Sequence, residues 1–194
     1  MDQTAVLALF RQSDALLEGH FKLSSGLHST GYLQCALVLQ HPAHAEALGR
    51  ALAAILAASA PATRDATAVL SPALGGLIIG HEVARALGVR AIFAERQDGV
   101  LTLRRGFALA PADRVVVIED VVTTGGSTRE TMDVARASGA EVVAAGAVID
   151  RSGGRSALGV PFASLAVLEL PTYEPAACPL CAAGTPVTKP GSRT

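Results

Sequence analysis

Two adjacent carboxylates, Glu119 and Asp120, stand just ahead of Thr123, Thr124, Gly125, Gly126 and Ser127 in the stretch VVVIEDVVTTGGST, residues 115 to 128. The small residues offer consecutive backbone N–H groups, hydroxyl donors and two positions without side chains. A phosphate can therefore approach the backbone closely, and a helix starting there adds the positive end of its dipole. The order of the residues narrows the chemistry. A dinucleotide-binding loop needs G-x-G-x-x-G after its strand and a ribose-binding acid roughly 20 residues later, and a triphosphatase loop needs a Lys after its glycines. Here the acids precede the glycines and no Lys follows them. Acids beside a phosphate cradle suit a single ligand that presents both a phosphate and vicinal hydroxyls, which describes a ribose 5-phosphate. An ordinary strand, turn and capped helix would explain the glycines and Ser127, but not two neighbouring acids at a strand end.

These groups need a scaffold. VVVI shows no polar alternation, as expected of a strand covered on both faces, so the acids fall at its carboxyl end, where open α/β sheets bind ligands. From residue 67 onward, β-rich runs (TAVLS, VRAIFAE, VLTLRR, DRVVVIED, EVVAAGAVID, FASLAVLEL) alternate with helical ones (PALGGLIIGHEVARALG, GSTRETMDVARASGA). That rhythm predicts βαβ units and a mostly parallel sheet flanked by helices. Ser127 and Thr128 are expected to cap a helix beginning near Arg129, with Glu130 completing a capping box and Gly139 ending the helix. Earlier in the chain, apolar spacing predicts helices over residues 2 to about 17 and 44 to 60. Between them GHFKLSSGLHSTGYLQCALVL reads as a loop or hairpin entering a strand, and the Pro- and Gly-rich tail from about 171 reads as irregular.

Composition excludes several classes. The 194 residues are half hydrophobic and only 4% aromatic, enough for one α/β domain with a sizeable core and no need of disulfides. A net charge of -1 leaves no electrostatic footprint for nucleic acid or an anionic membrane, so phosphate recognition must be local. The apolar stretches are interrupted before they reach membrane-spanning length, and the N-terminus does not read as an export signal. With three cysteines and no disulfide framework, the expectation is a cytoplasmic protein.

The stretch 115 to 128 resembles the phosphoribosyl-diphosphate (PRPP) signature of the type I phosphoribosyltransferases. That resemblance implies an α/β fold with a central, mostly parallel sheet and a small hood built mainly from residues 1 to 40, in a single domain spanning 1–194. It also implies that Glu119 and Asp120 hold the ribose hydroxyls, and that the backbone from Val121 and Val122 through Thr123, Thr124, Gly125, Gly126 and Ser127 holds the 5-phosphate. Mg²⁺ would bridge ribose and pyrophosphate oxygens without an assigned direct protein ligand.

Three more segments resemble the orotate branch of that family: GHFKLSSGLHSTGYLQ (19 to 34), SPALGGLIIG (71 to 80) and VIDRSGGR (148 to 155). The implied reaction is transfer of the phosphoribosyl group from PRPP to orotate, yielding orotidine 5-monophosphate and pyrophosphate in pyrimidine biosynthesis, by a homodimer. Arg151 would receive the orotate carboxylate and Thr123 would touch the ring. A guanidinium fork suits that carboxylate better than an ammonium does, whereas a surface Arg paired with Asp150 is the plainer reading. Gly75 and Gly76 suit either pyrophosphate contact or close helix packing. Alternatives are the same fold acting on a purine or another base, and a regulator that senses PRPP without catalysis.

The chain also departs from the orotate pattern. Many orotate enzymes carry a mobile loop with several Lys and a His where this chain has FAERQDGVLTLRRGF, and a Lys where it has Ser24. Arg96 is the expected catalytic stand-in at the pyrophosphate, with Arg104 and Arg105 either joining it or lying on a solvated hairpin. Cys178-Pro-Leu-Cys181 has zinc-knuckle spacing, but a closed site needs four ligands and Cys35 is the only other thiol. The pair is thus either incidental and reduced or completed by histidines or a second subunit. His20 and His28 could line the base site or be satisfied loop histidines.

Overall fold

A computed structural model describes residues 1–23 and 25–190. Helix α1 (Gln3–Gln12) is capped by Asp2, whose carboxylate accepts from the Ala5 N–H at 2.8 Å, and it stops well before residue 17. The chain turns at Asp14, where φ is +52°, and Leu16 and Leu17 open strand β1 (Leu16–Lys22) instead. Apolar spacing runs on past the helix because Leu16 joins the core of Val6 and Phe10 from an extended backbone, while Leu17, half-buried, lies on the other face of the strand. Strand β2 (His28–Leu33) pairs antiparallel with β1, the hairpin foreseen, but CALVL is a short helix, α2 (Cys35–Leu39), not a strand. Ser24, where the orotate pattern has a Lys, lies outside the described residues.

After α3 (Pro42–Ser59) the alternation predicted from sequence is realised: β3 (Ala68–Pro72), α4 (Gly76–Leu87), β4 (Arg90–Gln97), β5 (Val100–Leu103), β6 (Arg114–Val122), α5 (Gly126–Ala137), β7 (Glu141–Asp150) and β8 (Phe162–Val167). The six strands lie in the order β5-β4-β3-β6-β7-β8, parallel except for the edge strand β5, which returns antiparallel along β4. The fold is the α/β type with a mostly parallel sheet between helices. Strand β6 sits inside it, and its side chains alternate between two cores. Val116 and Ile118 join Leu48, Leu52, Ile79 and Val83 on the face covered by α1, α3 and α4, while Val115 and Val117 join Met132 and Ala135 of α5 on the other. With both faces buried, no polar alternation survives in the sequence of β6.

The tail is not irregular. It forms β9 (Thr172–Tyr173), which pairs with β2, a 3₁₀ turn (Pro175–Ala177) and α6 (Pro179–Ala182), and Thr188 bridges to Phe21 of β1. The hood is therefore a three-stranded sheet, β1-β2-β9, assembled from both ends of the chain. Pro and Gly mark where its short elements break; they do not show that those elements pack.

Candidate active site

Strand alternation places Glu119 and Asp120 on opposite faces of β6. Glu119 follows Val115 and Val117 toward α5, where its carboxylate accepts a hydrogen bond from the Ser127 side chain and another from the Asp120 backbone N–H. It is only 8% exposed. Burial, and then the neighbouring Asp120 charge, push its pKa up to about 8. Asp120 follows Val116 and Ile118 toward α4, and its Oδ1 accepts from the Val121 N–H at 2.9 Å. Burial raises its pKa too. The two carboxylates straddle the end of the strand, and no cation among the described residues offsets their desolvation, so they can accept from hydroxyl donors or meet positive charge.

Gly75, at the start of α4, has ordinary helical angles, φ -57° and ψ -44°, so backbone conformation does not require a glycine there. Clearance does: a Cβ on Gly75 would lie 2.7 Å from Asp120 Oδ1 and 2.9 Å from Oδ2. Gly76 packs instead, since a Cβ there would meet the Ile118 carbonyl and the Ser71 Cβ at 3.0 Å. The two glycines read together in the sequence thus separate into one that frees a carboxylate and one that seats a helix.

The loop between β6 and α5 begins with Thr123 and Thr124, both exposed. Gly125 is left-handed at φ +76° and is the residue before the helix, which begins at Gly126 and has no side-chain cap. The expected capping box is absent. Ser127 lies inside the first turn with its hydroxyl on Glu119, and Glu130 pairs with Arg96. A left-handed glycine turns the chain into the helix without spending a side chain, and the first N–H groups of α5 face the loop free of an intrahelical partner. Arg129 donates to the Thr124 carbonyl at 2.9 Å and brings a guanidinium to the same loop. The arrangement can hold a phosphate.

Strand β7 runs beside β6, pairing Val122 with Asp150, and the Arg151 backbone N–H donates to the Val122 carbonyl at 2.7 Å. Asp150 does not pair with Arg151. Its Oδ1 accepts from the Ser152 N–H at 2.7 Å and its Oδ2 from the Gly154 N–H at 3.0 Å, which shapes the following turn. Arg151 Nε is buried without a hydrogen-bond partner, and no carboxylate among the described residues pairs with this side chain. Burial pulls its pKa below the usual arginine value. Arg151 and Thr123 line one cavity of about 590 Å³ with Thr124, Ser152, Leu170 and Thr172. A half-buried guanidinium with no carboxylate partner among the described residues, facing such a cavity, suits an anionic ligand.

The family model for the phosphoribosyl transferase domain matches residues 36–158. Orotate phosphoribosyltransferase of Heliobacterium modesticaldum is 54% identical over 194 residues, covering all of both chains. That of Carboxydothermus hydrogenoformans is 56% identical over 185 residues, 95% of each. The chain belongs to the orotate phosphoribosyltransferase family. Among solved structures, orotate phosphoribosyltransferase from Aeropyrum pernix superposes with a TM-score of 0.64 at 26% identity, covering 84% of this chain and 93% of the other. The enzyme from Mycobacterium tuberculosis shares the fold with a TM-score of 0.70 at 22% identity, covering 87% and 97%.

Against that family frame, the structure joins most of the residues singled out in the sequence and sets others apart. Glu119, Asp120, Thr123 to Ser127 and Arg151 gather at the carboxyl ends of β6 and β7. Arg96, expected at the pyrophosphate, has its guanidinium taken up by Glu130 at 2.7 Å and by the Gly99 carbonyl at 2.6 Å. Arg105 forks onto Glu95 at 2.6 and 2.9 Å, which makes it the solvated-hairpin residue. His20 and His28 do not line the Arg151 cavity. Sequence reasoning missed Leu170, at the end of a run read as β-rich, and Thr172, in the tail read as irregular, which both wall that cavity, and it missed that Ser127 serves Glu119.

Proposed function

We propose that the protein transfers the phosphoribosyl group from PRPP to N1 of orotate, releasing pyrophosphate and forming orotidine 5-monophosphate. Arg151 carries this reading: a half-buried guanidinium, its Nε buried without a partner, that lines one cavity with Thr123 and is held against the phosphate loop by its own backbone hydrogen bond to Val122. It suits a planar base bearing an extra carboxylate. Glu119 and Asp120 take the ribose hydroxyls, and the backbone from Val121 to Ser127 takes the 5-phosphate. The two carboxylates thereby lie beside the ribose as positive charge develops on it, and the fixed dipoles of the loop need no reorganisation as the pyrophosphate departs. Arg96 reaches the pyrophosphate by exchanging Glu130 for it.

Mg²⁺ belongs to the same proposal. The donors at the end of β6 are carboxylate oxygens whose charged form burial disfavours, so a hard cation held mostly by substrate oxygens and water would favour their ionised form. When bound, the ion neutralises charge on the leaving pyrophosphate. Asp120 and Glu119 would orient the ribose beside it. The proposal also includes a cytoplasmic homodimer. Leu74, 82% exposed ahead of α4, and the half-exposed Ile78 within it are apolar positions that a partner would cover.

The test is base competition. Supplied with PRPP and Mg²⁺, the protein should consume orotate and release pyrophosphate in preference to uracil, hypoxanthine, adenine or xanthine. Preferential consumption of another base would reassign Arg151, and PRPP binding without pyrophosphate release for any base would favour a sensor.

A further inference from the structure

Away from the phosphoribosyl site, His20 of β1, His28 of β2, Cys178 and Cys181 converge, their ligating atoms all lying within 4.8 Å of one another. His20, His28 and Cys178 are buried and Cys181 closes the outer side. His20 Nδ1 lies 2.8 Å from the Thr185 carbonyl, which can only accept, so that nitrogen carries the proton and Nε2 carries a lone pair. Around that single lone pair stand His28 Nδ1 at 2.8 Å, Cys178 Sγ at 3.5 Å and Cys181 Sγ at 3.7 Å, with Cys181 Sγ also 3.3 Å from His28 Nδ1. Three would-be donors crowding one acceptor is poor hydrogen bonding. It is the arrangement of ligands around a missing centre.

We infer that His20, His28, Cys178 and Cys181 form a structural zinc site that fastens the C-terminal tail to the hood. Zinc–nitrogen and zinc–sulfur bonds of about 2.0 and 2.3 Å give a tetrahedron whose mixed N···S edges are about 3.5 Å, and the three such edges above are 3.5, 3.7 and 3.3 Å. The two nitrogens, at 2.8 Å, must part slightly, and no two ligand atoms are more than 4.8 Å apart. Two thiols lose their protons to solvent on binding, so two thiolates balance the charge of one Zn²⁺ and the buried site is neutral. The Thr185 carbonyl on His20 Nδ1 is the outer partner that fixes the ring tautomer and orientation of a metal-bound imidazole. A paired set of two thiolates and two imidazoles selects zinc over hard cations.

The site has a structural consequence for the neighbouring cavity. Among the described residues, hood and tail are also joined by a two-residue strand pairing, by the Lys22 and Thr188 backbone hydrogen bonds at 2.8 Å, by the Ser29 hydroxyl donating to the Pro171 carbonyl at 3.0 Å, and by Leu170 against Gly31. Leu170 and Thr172 also wall the Arg151 cavity, so a loosened tail loosens that wall. This inference rests on the side-chain cluster and not on the reaction proposed above, and its primary readouts do not use activity.

The full chain, purified without chelator, should contain one zinc per chain by elemental analysis. Replacement by Co²⁺ should give the visible absorption of a tetrahedral site with thiolate charge transfer. C178S, C181S and H28N should each lose at least tenfold in metal affinity, and chelation of the parent protein should lower its Tm by more than about 5 °C. Metal-free parent protein that takes up neither Zn²⁺ nor Co²⁺ would overturn the inference, as would full metal content in the C178S/C181S double variant. Because the first two measurements use the unaltered chain, a variant that fails to fold does not blunt the test.

Discussion

The backbone N–H of Arg151 donates to the carbonyl of Val122 at 2.7 Å, which ties the residue after β7 to the last residue of β6. The link is in the main chain, so the side chain is left to point into the cavity with its Nε unpartnered. Substituting Arg151 therefore changes recognition without removing the hydrogen bond that positions the loop. R151A should raise the orotate KM by about 10- to 100-fold, the value of a charged hydrogen bond pair, and leave the PRPP KM within twofold. R151K should not restore it, because an ammonium lacks the fork. Unchanged orotate KM in steady-state assays would remove Arg151 from the base site.

The clearance between Gly75 and Asp120 predicts a separable effect. G75A keeps helical backbone angles but puts a methyl 2.7 Å from Asp120 Oδ1, so the carboxylate must move. kcat/KM for PRPP should fall roughly 10- to 100-fold, the scale of an ångström's misplacement, while Tm changes little. A fully active G75A would mean that Asp120 tolerates displacement and does not orient the ribose.

Glu119 makes stability depend on pH with an unusual sign. Its folded pKa of about 8 lies above the ordinary carboxylate value, so the folded, ligand-free protein keeps a proton that the unfolded chain has lost. Its contribution is present at low pH and declines as pH rises toward 8, by at most about 1.4 kcal/mol per pH unit. Asp120 is shifted in the same direction and adds to the trend. Urea midpoints should fall between pH 6 and 8, and E119Q should flatten that slope. PRPP with Mg²⁺ should expel the proton, which calorimetry in buffers of different ionisation enthalpy would register as proton release at pH 7.

Arg96 and Glu130 provide the fourth test. Each side chain is about half exposed, so the 2.7 Å pair contributes at most about 1 kcal/mol to stability. Both R96A and E130A should leave Tm within about 4 °C of the parent. If Arg96 exchanges Glu130 for pyrophosphate, R96A lowers kcat/KM for PRPP and E130A does not. Equal losses in both variants would show that Arg96 acts through the pair and not on the substrate.

Much of the phosphoribosyl site was legible because its information is local. A buried strand, two acids, hydroxyls and glycines follow one another without a break, and a parallel strand between two helix layers places its carboxyl end at the ligand edge. Helix boundaries were less legible where an apolar run continues from a helix into a strand, as at Leu16 and Leu17, or where a turn needs no side-chain cap, as at Gly125. The capping pattern at Ser127 and Glu130 misled because both side chains are claimed by distant partners, Glu119 and Arg96.

By itself the sequence determined that two acids and a phosphate-loop pattern stand together at the end of one strand, because they are contiguous, and their order disfavours the other nucleotide loops. Only the tertiary structure decided what depends on residues far apart in the chain. Asp150 turns to its own loop amides and leaves Arg151 unpaired, Gly75 makes room for Asp120, and Cys178 and Cys181 meet two histidines from the opposite end of the chain. Spacing along a chain reports which groups share a strand or a turn. Which of two acids a guanidinium meets, or which four ligands converge, follows from how separate elements pack, and no local pattern encodes that.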